Sequence, residues 1–384
     1  MKILYIVKTN QGATWAFDLA CQLKSLGHRL VIMLPFADHG SALKYREYGM
    51  EVIGFDAALP VKAPWKLLPR ILKFRKLLAE IQPDLVHVHF VTNAFFVRLA
   101  MFSLSVPRLF QIPGPLHLES VFFRWLDIHL AGERDFWAPS CQRSGIYLKD
   151  AGADPEHIFL NYYGGYGGAA CDKYADASGI LHRELRLPEN IRLAGMVSYI
   201  YPPKRYLGQR RGLKGHEDFI DAIGIVQRTH PELYGVIIGD IFCGGEYYKK
   251  QLREYAAKVG RGKIIFTGFR SDLAAVYREL DVAVHPSHSE NLGAAAESLA
   301  AGVPTVSTDV GGFPDIVCHG ETGLTVPAKN PEALAQAIIQ TIENYPQAVK
   351  MAEKGREKVR RLLDIEETAR ETSRIYNVIH ERCK

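Results

Sequence analysis

Short apolar runs alternate with amphipathic stretches along most of this chain, and this alternation constrains the fold more than any other feature. The apolar runs are continuous, which is typical of strands that are buried on both faces. Such strands form parallel sheets that are covered by helices on both sides. In the first half of the chain the runs lie at residues 3–7, 30–34, 85–90, 108–112 and 135–139.

The alternation stops at a Gly- and Tyr-rich segment, NYYGGYGG, and then starts again. At 384 residues the chain is long for a single core. We therefore predict two doubly wound parallel-sheet domains that face a cleft, at residues 1–175 and 185–365. The charged stretch at about residues 366–384 is predicted to be a helix that could pack back on the first domain. The second series of apolar runs lies at residues 191–197, 234–240, 263–269, 281–286, 304–308 and 323–327.

Composition excludes several classes of protein. Apolar residues make up 47% of the chain and charged residues 23%, and the net charge is +5, too small to indicate a nucleic-acid partner. The six cysteines form no CxxC pair, which favours reduced thiols over a zinc site or a disulfide framework. No apolar run fits a signal peptide or a membrane span. We expect a cytoplasmic protein, with the inner face of a membrane as an alternative location.

The strongest chemical motif is HPSHSENLGAAAESLAAGVPTVSTDVGGFPDIV, at residues 285–317. It indicates a strand, a polar loop and a helix whose free N-terminal amides favour an anion. Glu290 lies just before this helix, and seven residues at about 100° each bring Glu297 to nearly the same face. A diphosphate could bind the amides of residues 291–293 while a carboxylate accepts sugar hydroxyls. The alternative is a capped surface helix with two solvated glutamates.

A second motif, KRYLGQRRGLKG at residues 204–215, combines basic residues with three glycines just after a predicted strand. Arginine binds phosphate oxygens in a bidentate manner, so a Gly-rich basic loop of this kind suits a diphosphate. A solvated basic loop is the alternative for any single residue here. The five basic residues are Lys204, Arg205, Arg210, Arg211 and Lys214.

The segment SENLGAAAESLAAGVPTVSTDVGG resembles the signature of family 4 of the retaining glycosyltransferases, which have the GT-B fold of two Rossmann-like lobes. Other segments match in order, among them PDLVHVHF, LKGHEDFIDAI, VIIGD and GETGLTVP. The resemblance implies transfer of a hexosyl unit from a UDP- or GDP-sugar to an acceptor hydroxyl, without a cofactor. Acceptors in glycan, glycolipid and natural-product biosynthesis all remain open.

The resemblance also implies roles for individual residues. Glu290 would contact the donor sugar, Glu297 the ribose, and the backbone of Asn291, Leu292 and Gly293 the phosphate, while Lys214 matches a phosphate-binding lysine. Two departures stand out. Six residues separate the glutamates where the family usually has seven, and Met196 occupies the place of an expected arginine. We expect Arg210 or Arg211 to supply that missing charge.

In the first lobe the resemblance points to residues that follow predicted strands. Gly12 lies in the first strand-to-helix turn, which in the family approaches donor phosphate and acceptor. Gln111 stands where the family often has a histidine that contacts the transferred sugar, so His117 becomes a candidate for the reaction centre. A surface-loop histidine is the alternative for His117. His87 and His89 alternate in a strand, which favours packing or acceptor lining over metal binding.

No Asp-x-Asp motif occurs in the sequence. Since the other major glycosyltransferase fold holds a divalent cation with that motif, we expect a metal-independent reaction. Basic residues and a helix dipole would then neutralise the departing diphosphate.

Residues 61–79, VKAPWKLLPRILKFRKLLA, carry six basic residues and no acidic ones. Leucines and isoleucines at helical spacing form a predicted apolar stripe beside a cationic face. A helix of this kind can lie on an anionic membrane surface, so peripheral membrane contact is a further expectation. The alternative is a core-packing helix with a solvated basic face.

Two other functions are compatible with a two-lobed fold. A nucleotide-sugar 2-epimerase shares the architecture but needs acid–base residues at the sugar carbon, and the first lobe shows no clear carboxylate pair. A non-catalytic two-lobed sugar-binding protein is the third candidate. Such proteins are usually exported, which the absence of a signal-peptide pattern disfavours.

Overall fold

Two compact units make up the part of the chain that the computed structural model describes, residues 1–167, 181–188, 190–205, 209–242 and 244–384. Unit 1 comprises Met1–Gly165 and Leu363–Lys384, and unit 2 comprises Tyr166–Leu362. The predicted domain boundaries stay a prediction, because residues 168–180 lie outside the described residues. Each unit is a parallel sheet with helices on both faces, which confirms the predicted GT-B fold class.

Unit 1 contains a six-stranded sheet in the order β3-β2-β1-β4-β5-β6, with every neighbouring pair parallel. All the apolar runs of the first half form strands here. Hydrophobic patterning does not indicate β3, because this short edge strand is half-exposed and lacks a continuous apolar run. The strands are β1 Lys2–Ile6, β2 Arg29–Leu34, β3 Glu51–Gly54, β4 Leu85–His89, β5 Arg108–Ile112 and β6 Asp135–Pro139.

The helices of unit 1 that precede unit 2 in the chain cover both faces of this sheet. One hydrophobic core lies under α1 and α2, and a second core lies under α3, α4 and α5 on the opposite face. The bounds are α1 Thr14–Ser25, α2 Ser41–Glu47, α3 Leu67–Ile81, α4 Val91–Ala100, α5 Leu116–Glu119, α6 Val121–His129 and α7 Gln142–Asp150.

Unit 2 repeats the plan with the strand order β12-β11-β10-β7-β8-β9, again parallel throughout. Its strands are β7 Arg192–Val197, β8 Leu233–Ile238, β9 Ile264–Gly268, β10 Val282–His285, β11 Thr305–Thr308 and β12 Leu324–Val326. Its helices are α8 Leu181–Glu184, α9 His216–Val226, α10 Glu246–Val259, α11 Leu273–Tyr277, α12 Gly293–Ala300, α13 Phe313–Ile316, α14 Pro331–Glu343 and α15 Tyr345–Leu362.

The charged C-terminal stretch forms the final helix, α16 (Ile365–Arg382), which belongs to unit 1. Asp364 lies between α15 and α16, and its carboxylate caps α16 by accepting the amides of Glu366 and Glu367 at 2.8 and 3.1 Å. Tyr376 of α16 is fully buried in the core beside α1. Among the helices described, none is long and apolar enough to cross a membrane.

Strand order places one crevice in each sheet. In doubly wound sheets ligands bind beyond the carboxyl ends of the strands, where neighbouring strands lead off in opposite directions. That point lies between β1 and β4 in unit 1 and between β7 and β10 in unit 2. The second of these crevices contains the strongest sequence motif.

Candidate active site

A cavity of about 320 Å³ lies at the carboxyl ends of β7, β8, β9 and β10 in unit 2. The two central strands contribute Val197 and His285 to its wall. The first turn of α12 contributes Gly293 and Ala294, so backbone amides at a helix N-terminus border the cavity. Partial positive charge at that terminus favours an anionic group of a ligand.

Lys214 and Glu290 meet on the wall of this cavity. The Lys214 ammonium donates to a carboxylate oxygen of Glu290, and the other oxygen accepts the Asn291 amide at 3.1 Å. Lys214 also lies 6.0 Å from the centre of the Tyr201 ring. The two motifs that carry these charges lie far apart in sequence, and the fold brings them together.

Close backbone packing holds the two loops in register. Gly215 has φ 72° and lies so near the Pro286 carbonyl that a Cβ there would be 2.0 Å from its oxygen. The amide of His288 donates to the Leu213 carbonyl at 2.8 Å. Only glycine fits position 215, because it tolerates both the positive φ and the contact. The backbone contacts on either side of Lys214 thereby position its side chain at the cavity.

Glu297 lies on α12 and also lines the cavity. The Tyr277 hydroxyl donates to its Oε2 at 3.2 Å. Since α12 begins at Gly293, Glu290 lies in the preceding loop, and the argument from helical spacing does not apply to it. The shorter spacing between the glutamates is accommodated in this loop, and both carboxylates still lie on one cavity wall.

The remaining residues of the phosphate motif differ in their surroundings. Gly293 lines the cavity, whereas Leu292 is buried and Asn291 packs against the Gly312 turn. The amide of Gly312 donates to the Glu290 carbonyl at 3.2 Å, so this turn packs against the Glu290 loop and supports it. A direct backbone contact of residues 291 and 292 with phosphate stays a prediction.

The two candidate arginines occupy other positions. Arg211 is paired with Asp218 and Asp221 on α9, at 2.5 and 2.7 Å, and neither it nor the exposed Arg210 is among the side chains that line the cavity. Burial lowers the pKa of Arg211, but the hydrogen bonds and charges of Asp221 and Asp218 outweigh this and raise it overall. The donor-binding roles of Arg210 and Arg211 stay predictions.

Asp218 joins three segments around the cavity. Its buried carboxylate accepts the Arg211 guanidinium on one oxygen and His288 Nε2 on the other. Arg211 belongs to the basic loop and His288 to the loop that carries Glu290. This network lies outside the cavity. It links the basic loop, which carries Lys214, to the loop that carries Glu290, and so helps to position the two side chains.

Sequence analysis missed a cationic residue of the cavity wall, Arg270, which follows β9. Its guanidinium donates to both oxygens of Asp272, with Nε–Oδ1 2.8 Å, and also to Glu184. Within the described residues, Lys214 and Arg270 are the cationic side chains that line the cavity. The position of Arg270 directly after an apolar strand was the signal that could have identified it.

Two buried histidines stay neutral beside the cavity. Burial, and after it the charge of Lys214, lowers the pKa of His285 and of His216 to about 3. His285 Nε2 bonds the Ser298 hydroxyl at 2.9 Å. At neutral pH these rings therefore add no charge to the site.

In unit 1, His117 of α5 is held by Asp127, with Nε2 and Oδ2 3.1 Å apart. Burial would raise the pKa of Asp127, but the charge of Arg98 and the hydrogen bond from His117 lower it overall. These contacts give His117 a structural role, and its contact with a reaction centre stays a prediction. Gln111 donates to the Asn161 carbonyl at 3.0 Å.

Gly12 lies in the loop after β1 with φ 67°, and the space that a Cβ would occupy there is open. Its approach to donor phosphate stays a prediction. His87 and His89 pack in the core, with ring centroids 4.3 Å apart, and His87 Nδ1 lies 2.6 Å from the Tyr376 hydroxyl. No cluster of metal-ligating side chains occurs among the residues described.

Two family models match the chain. A model of the glycosyl transferases group 1 family matches residues 205–358, and a model of glycosyltransferase family 4 matches residues 12–144. The second half of the chain is thus similar to the group 1 glycosyltransferases, and the first half to glycosyltransferase family 4. The group 1 match includes Lys214, Glu290 and Glu297, and the family 4 match includes His117.

Curated glycosyltransferases match parts of the chain. The lipopolysaccharide core biosynthesis mannosyltransferase LpsB of Rhizobium meliloti is 29% identical over 182 residues, 46% of this chain and 52% of LpsB. A D-inositol 3-phosphate glycosyltransferase of Corynebacterium glutamicum is 30% identical over 203 residues, 51% of this chain and 45% of that enzyme. The chain spans about half the length of these curated relatives.

Solved structures of other proteins share the fold of this chain. Anabaena HepE in complex with UDP and glucose has a TM-score of 0.77 at 20% identity, covering 98% of this chain and 99% of HepE. Sucrose-phosphate synthase from Thermosynechococcus elongatus has a TM-score of 0.75 at 18% identity, with complete coverage of both chains. At this level of identity the likeness establishes the fold.

Proposed function

We propose that this protein is a retaining, metal-independent glycosyltransferase that moves a hexosyl unit from a nucleotide diphosphate sugar to an acceptor hydroxyl. The observation that carries the proposal is the meeting of Glu290, Glu297 and Lys214 on one cavity wall, beside the N-terminus of α12. A cation and free amides suit a diphosphate, and carboxylates suit sugar hydroxyls. The cavity volume also falls within the range typical of small-molecule sites.

Each group has a role in this proposal. Lys214 exchanges the Glu290 carboxylate for donor phosphate oxygens and, with the amides of Gly293 and Ala294, neutralises the departing diphosphate. Glu290, released from Lys214, accepts hydroxyls of the donor sugar. Glu297 accepts the ribose hydroxyls, with its carboxylate oriented by Tyr277.

The proposed reaction is same-face attack. The acceptor oxygen forms a bond to the anomeric carbon while the bond from that carbon to the phosphate oxygen breaks. The acceptor proton passes to the leaving diphosphate, so the reaction needs no external base and the anomeric configuration is retained. Determination of the anomeric configuration of the product by NMR tests this step, and an inverted product would contradict it.

UDP-sugars are the first donors to test, since solved structures of Anabaena HepE contain UDP and UDP-glucose. GDP-sugars are the second class. We place the reaction in the cytoplasm, with the acceptor a sugar, a lipid-linked sugar or a small molecule. Peripheral contact of residues 61–79 with the inner face of a membrane is part of the proposal.

A thermal-shift screen with UDP-, GDP-, ADP- and dTDP-sugars tests donor binding. A matched donor at 100 times its Kd stabilises the folded state by about 2.7 kcal/mol. Glu297→Ala should abolish most of the shift, whereas Glu353→Ala, an exposed glutamate on α15, should keep it. A full shift in Glu297→Ala would refute the ribose assignment.

Incubation of the protein with a UDP-sugar alone separates transfer from epimerisation. A 2-epimerase turns over without acceptor and yields an epimeric nucleotide sugar. A transferase requires an acceptor for efficient turnover and releases the nucleoside diphosphate. Epimer formation in the absence of acceptor would therefore exclude the proposed reaction.

A further inference from the structure

We infer that unit 1 has a binding site for a small phosphate-bearing molecule at the amino ends of β5 and β6, formed around Arg108 and Arg134. We call it the amino-end site, and residues 98–105, 108 and 129–135 contain its lining side chains. It shares no residue with the cavity of unit 2. Parallel sheets of this type bind ligands beyond the carboxyl ends of their strands, so the fold alone does not predict a site at this edge. The inference goes beyond the proposed function and does not depend on it.

A cavity of about 480 Å³ occupies this edge of the sheet, and it is larger than the cavity of unit 2. Its wall comes from the end of α4, the turn before β5, the turn between α6 and β6, and the first residue of each of these strands. Those first residues are Arg108 and Asp135. The volume lies in the range typical of small-molecule sites.

Two buried arginines lie in the wall of this cavity. The side chains of Arg98 and Arg108 are 1% and 6% exposed. Arg98 is paired with Asp127 and Asp135, yet its buried Nη2 has no hydrogen-bond partner among the residues described. A buried donor without an acceptor is costly, particularly on a charged group. An anion in the cavity would offset this charge.

Asp135 is the buried acid of the cavity wall, and both of its oxygens are occupied. Its Oδ1 is ion-paired with Arg108. Its Oδ2 accepts Arg98 Nε at 3.1 Å and the Gly132 amide at 3.2 Å. The other acid among the described lining residues, Glu133, is exposed. The buried acid therefore has no oxygen left for a further cation.

Arg134 adds a third cation to the cavity wall. Its Nη1 donates to the Ser105 carbonyl at 2.7 Å and to the Cys383 carbonyl at 2.9 Å. Across the part of the chain that the structure describes, its hydrogen bonds go only to main-chain carbonyls, so no carboxylate neutralises it there. Three arginines beside two buried carboxylates, Asp127 and Asp135, leave an excess of one positive charge.

Like charges oppose one another within this cluster. Burial is the main cause that lowers the pKa of Arg108, and Asp135 opposes it. The charges of Arg98 and Arg134 then lower the pKa further. A bound anion would relieve both the burial of charge and the repulsion between the arginines.

The donors of the amino-end site suit a phosphate better than a carboxylate. Guanidinium groups such as those of Arg108 and Arg134 bind phosphate oxygens in a bidentate manner, and the hydroxyls of Ser103 and Ser105 are further donors of the lining residues. Several donors from separate segments match the three terminal oxygens of a phosphate monoester, whereas a carboxylate has only two oxygens. Leu99 gives the carbon skeleton of such a molecule an apolar surface.

Calorimetric titration of the full chain tests the site. The probes are inorganic phosphate, glycerol 3-phosphate and, as a carboxylate, succinate, with sodium chloride used to equalise the ionic strength. Both phosphate compounds should bind, and glycerol 3-phosphate should bind more tightly than succinate. Failure of both phosphate compounds to bind, or tighter binding of succinate, would overturn the inference.

Arg134→Gln should weaken the binding of glycerol 3-phosphate by roughly ten-fold or more, since a hydrogen bond between charged groups is lost. Arg98 and Arg108 are unsuitable for this test, because their removal leaves buried carboxylates unpaired. Arg143→Gln is the matched control, because Arg143 is an exposed arginine of α7 outside the cavity. Equal losses in the two variants would contradict the assignment.

Ser105→Glu tests the site from the opposite direction. It places a carboxylate beside the arginines and should abolish phosphate binding by occupying their donors. Ser105→Gln has the same size without the charge and should retain most of the binding. Equal affinities of these two variants for glycerol 3-phosphate would overturn the inference.

Lys214→Gln separates this site from the cavity of unit 2, where Lys214 also suits phosphate. It should retain the phosphate binding that Arg134→Gln weakens, and Arg134→Gln should keep the thermal shift with a UDP- or GDP-sugar. Phosphate binding that is lost in Lys214→Gln and kept in Arg134→Gln would assign the ligand to unit 2 and overturn the inference. Phosphate binding at Arg134 in a protein that responds to no nucleotide sugar would refute the proposed function alone.

Discussion

The two units share one strand order, but they differ in the side chains that lie where this order reverses. In unit 2 the crevice between β7 and β10 is a cavity with charged walls. In unit 1 aromatic rings pack beside β1 and β4. The ring centroids of Tyr5 and His89 are 4.5 Å apart, and those of Trp15 and Tyr163 are 3.9 Å apart. Topology therefore places a crevice, and side-chain size decides whether it binds a ligand or becomes core.

The largest effect should come from emptying the aromatic cluster of unit 1. Tyr376→Ala removes a fully buried ring and should lower the free energy of unfolding by about 3–5 kcal/mol, as large aromatic truncations in cores do. Tyr376→Phe keeps the ring and loses only the bond to His87, for about 1 kcal/mol. Urea unfolding measures both. A cost below 1 kcal/mol for the alanine variant would show that this aromatic cluster is not a core.

Removing the cation from the cavity of unit 2 should affect catalysis instead. Lys214→Ala should lower kcat by about 10²–10³-fold, the range for loss of one preorganised group that stabilises developing charge. Steady-state kinetics with a matched donor measures the loss. Lys258→Ala on the exposed face of α10 is the control and should retain full activity. A ten-fold or smaller loss would remove Lys214 from the leaving-group role.

A fall in pH should destabilise both units to a similar extent, so the two units should not differ in this respect. Burial lowers the pKa of His87 in unit 1 and of His216 in unit 2 to about 3. The unfolded chain takes up these protons first as the pH falls below about 6.5, so stability is lost from there down to about pH 3. Each histidine should cost about 1.4 kcal/mol per pH unit, or about 2 kcal/mol at pH 5.

Single-site variants check this pH dependence. The free energy of unfolding falls as the pH is lowered. His87→Leu and His216→Leu should each reduce the slope of this fall by the contribution of one histidine. Denaturant unfolding at a series of pH values gives the slope. An unchanged slope in either variant would mean that the ring is already protonated in the folded state.

The smallest effect concerns the support of the cavity. Asp218→Asn weakens the link between Arg211 and His288 and should raise the donor KM about five-fold while kcat changes little. Asp221→Asn is the matched control, because Asp221 contacts Arg211 but not His288. Equal effects of the two variants would show that the His288 link does not position the Glu290 loop.

Sequence patterns predicted the sheets because buried parallel strands need continuous apolar runs. They failed at β3, an edge strand whose residues are half-exposed. Periodicity does not report such a strand, because a short edge strand has little to bury.

The candidate site was predictable where a motif carried it. Glu290, Glu297 and Lys214 line one cavity even though the glutamates are one residue closer than expected, because a loop takes up the difference. The partners of Arg211 were not predictable. Its pairing with Asp218 and Asp221 depends on how the basic loop folds onto α9, and sequence spacing does not reveal that contact.

The placement of α16 has a consequence for the order of folding. The core of unit 1 includes Ile375, Tyr376 and Ile379, which are translated after the whole of unit 2. The Gly165 amide donates to the Leu363 carbonyl at 3.0 Å, so the chain leaves unit 1 and returns to it at adjacent points. On the ribosome, unit 1 is therefore completed only after unit 2, and it exposes the α16-binding side of its core until α16 has been synthesised.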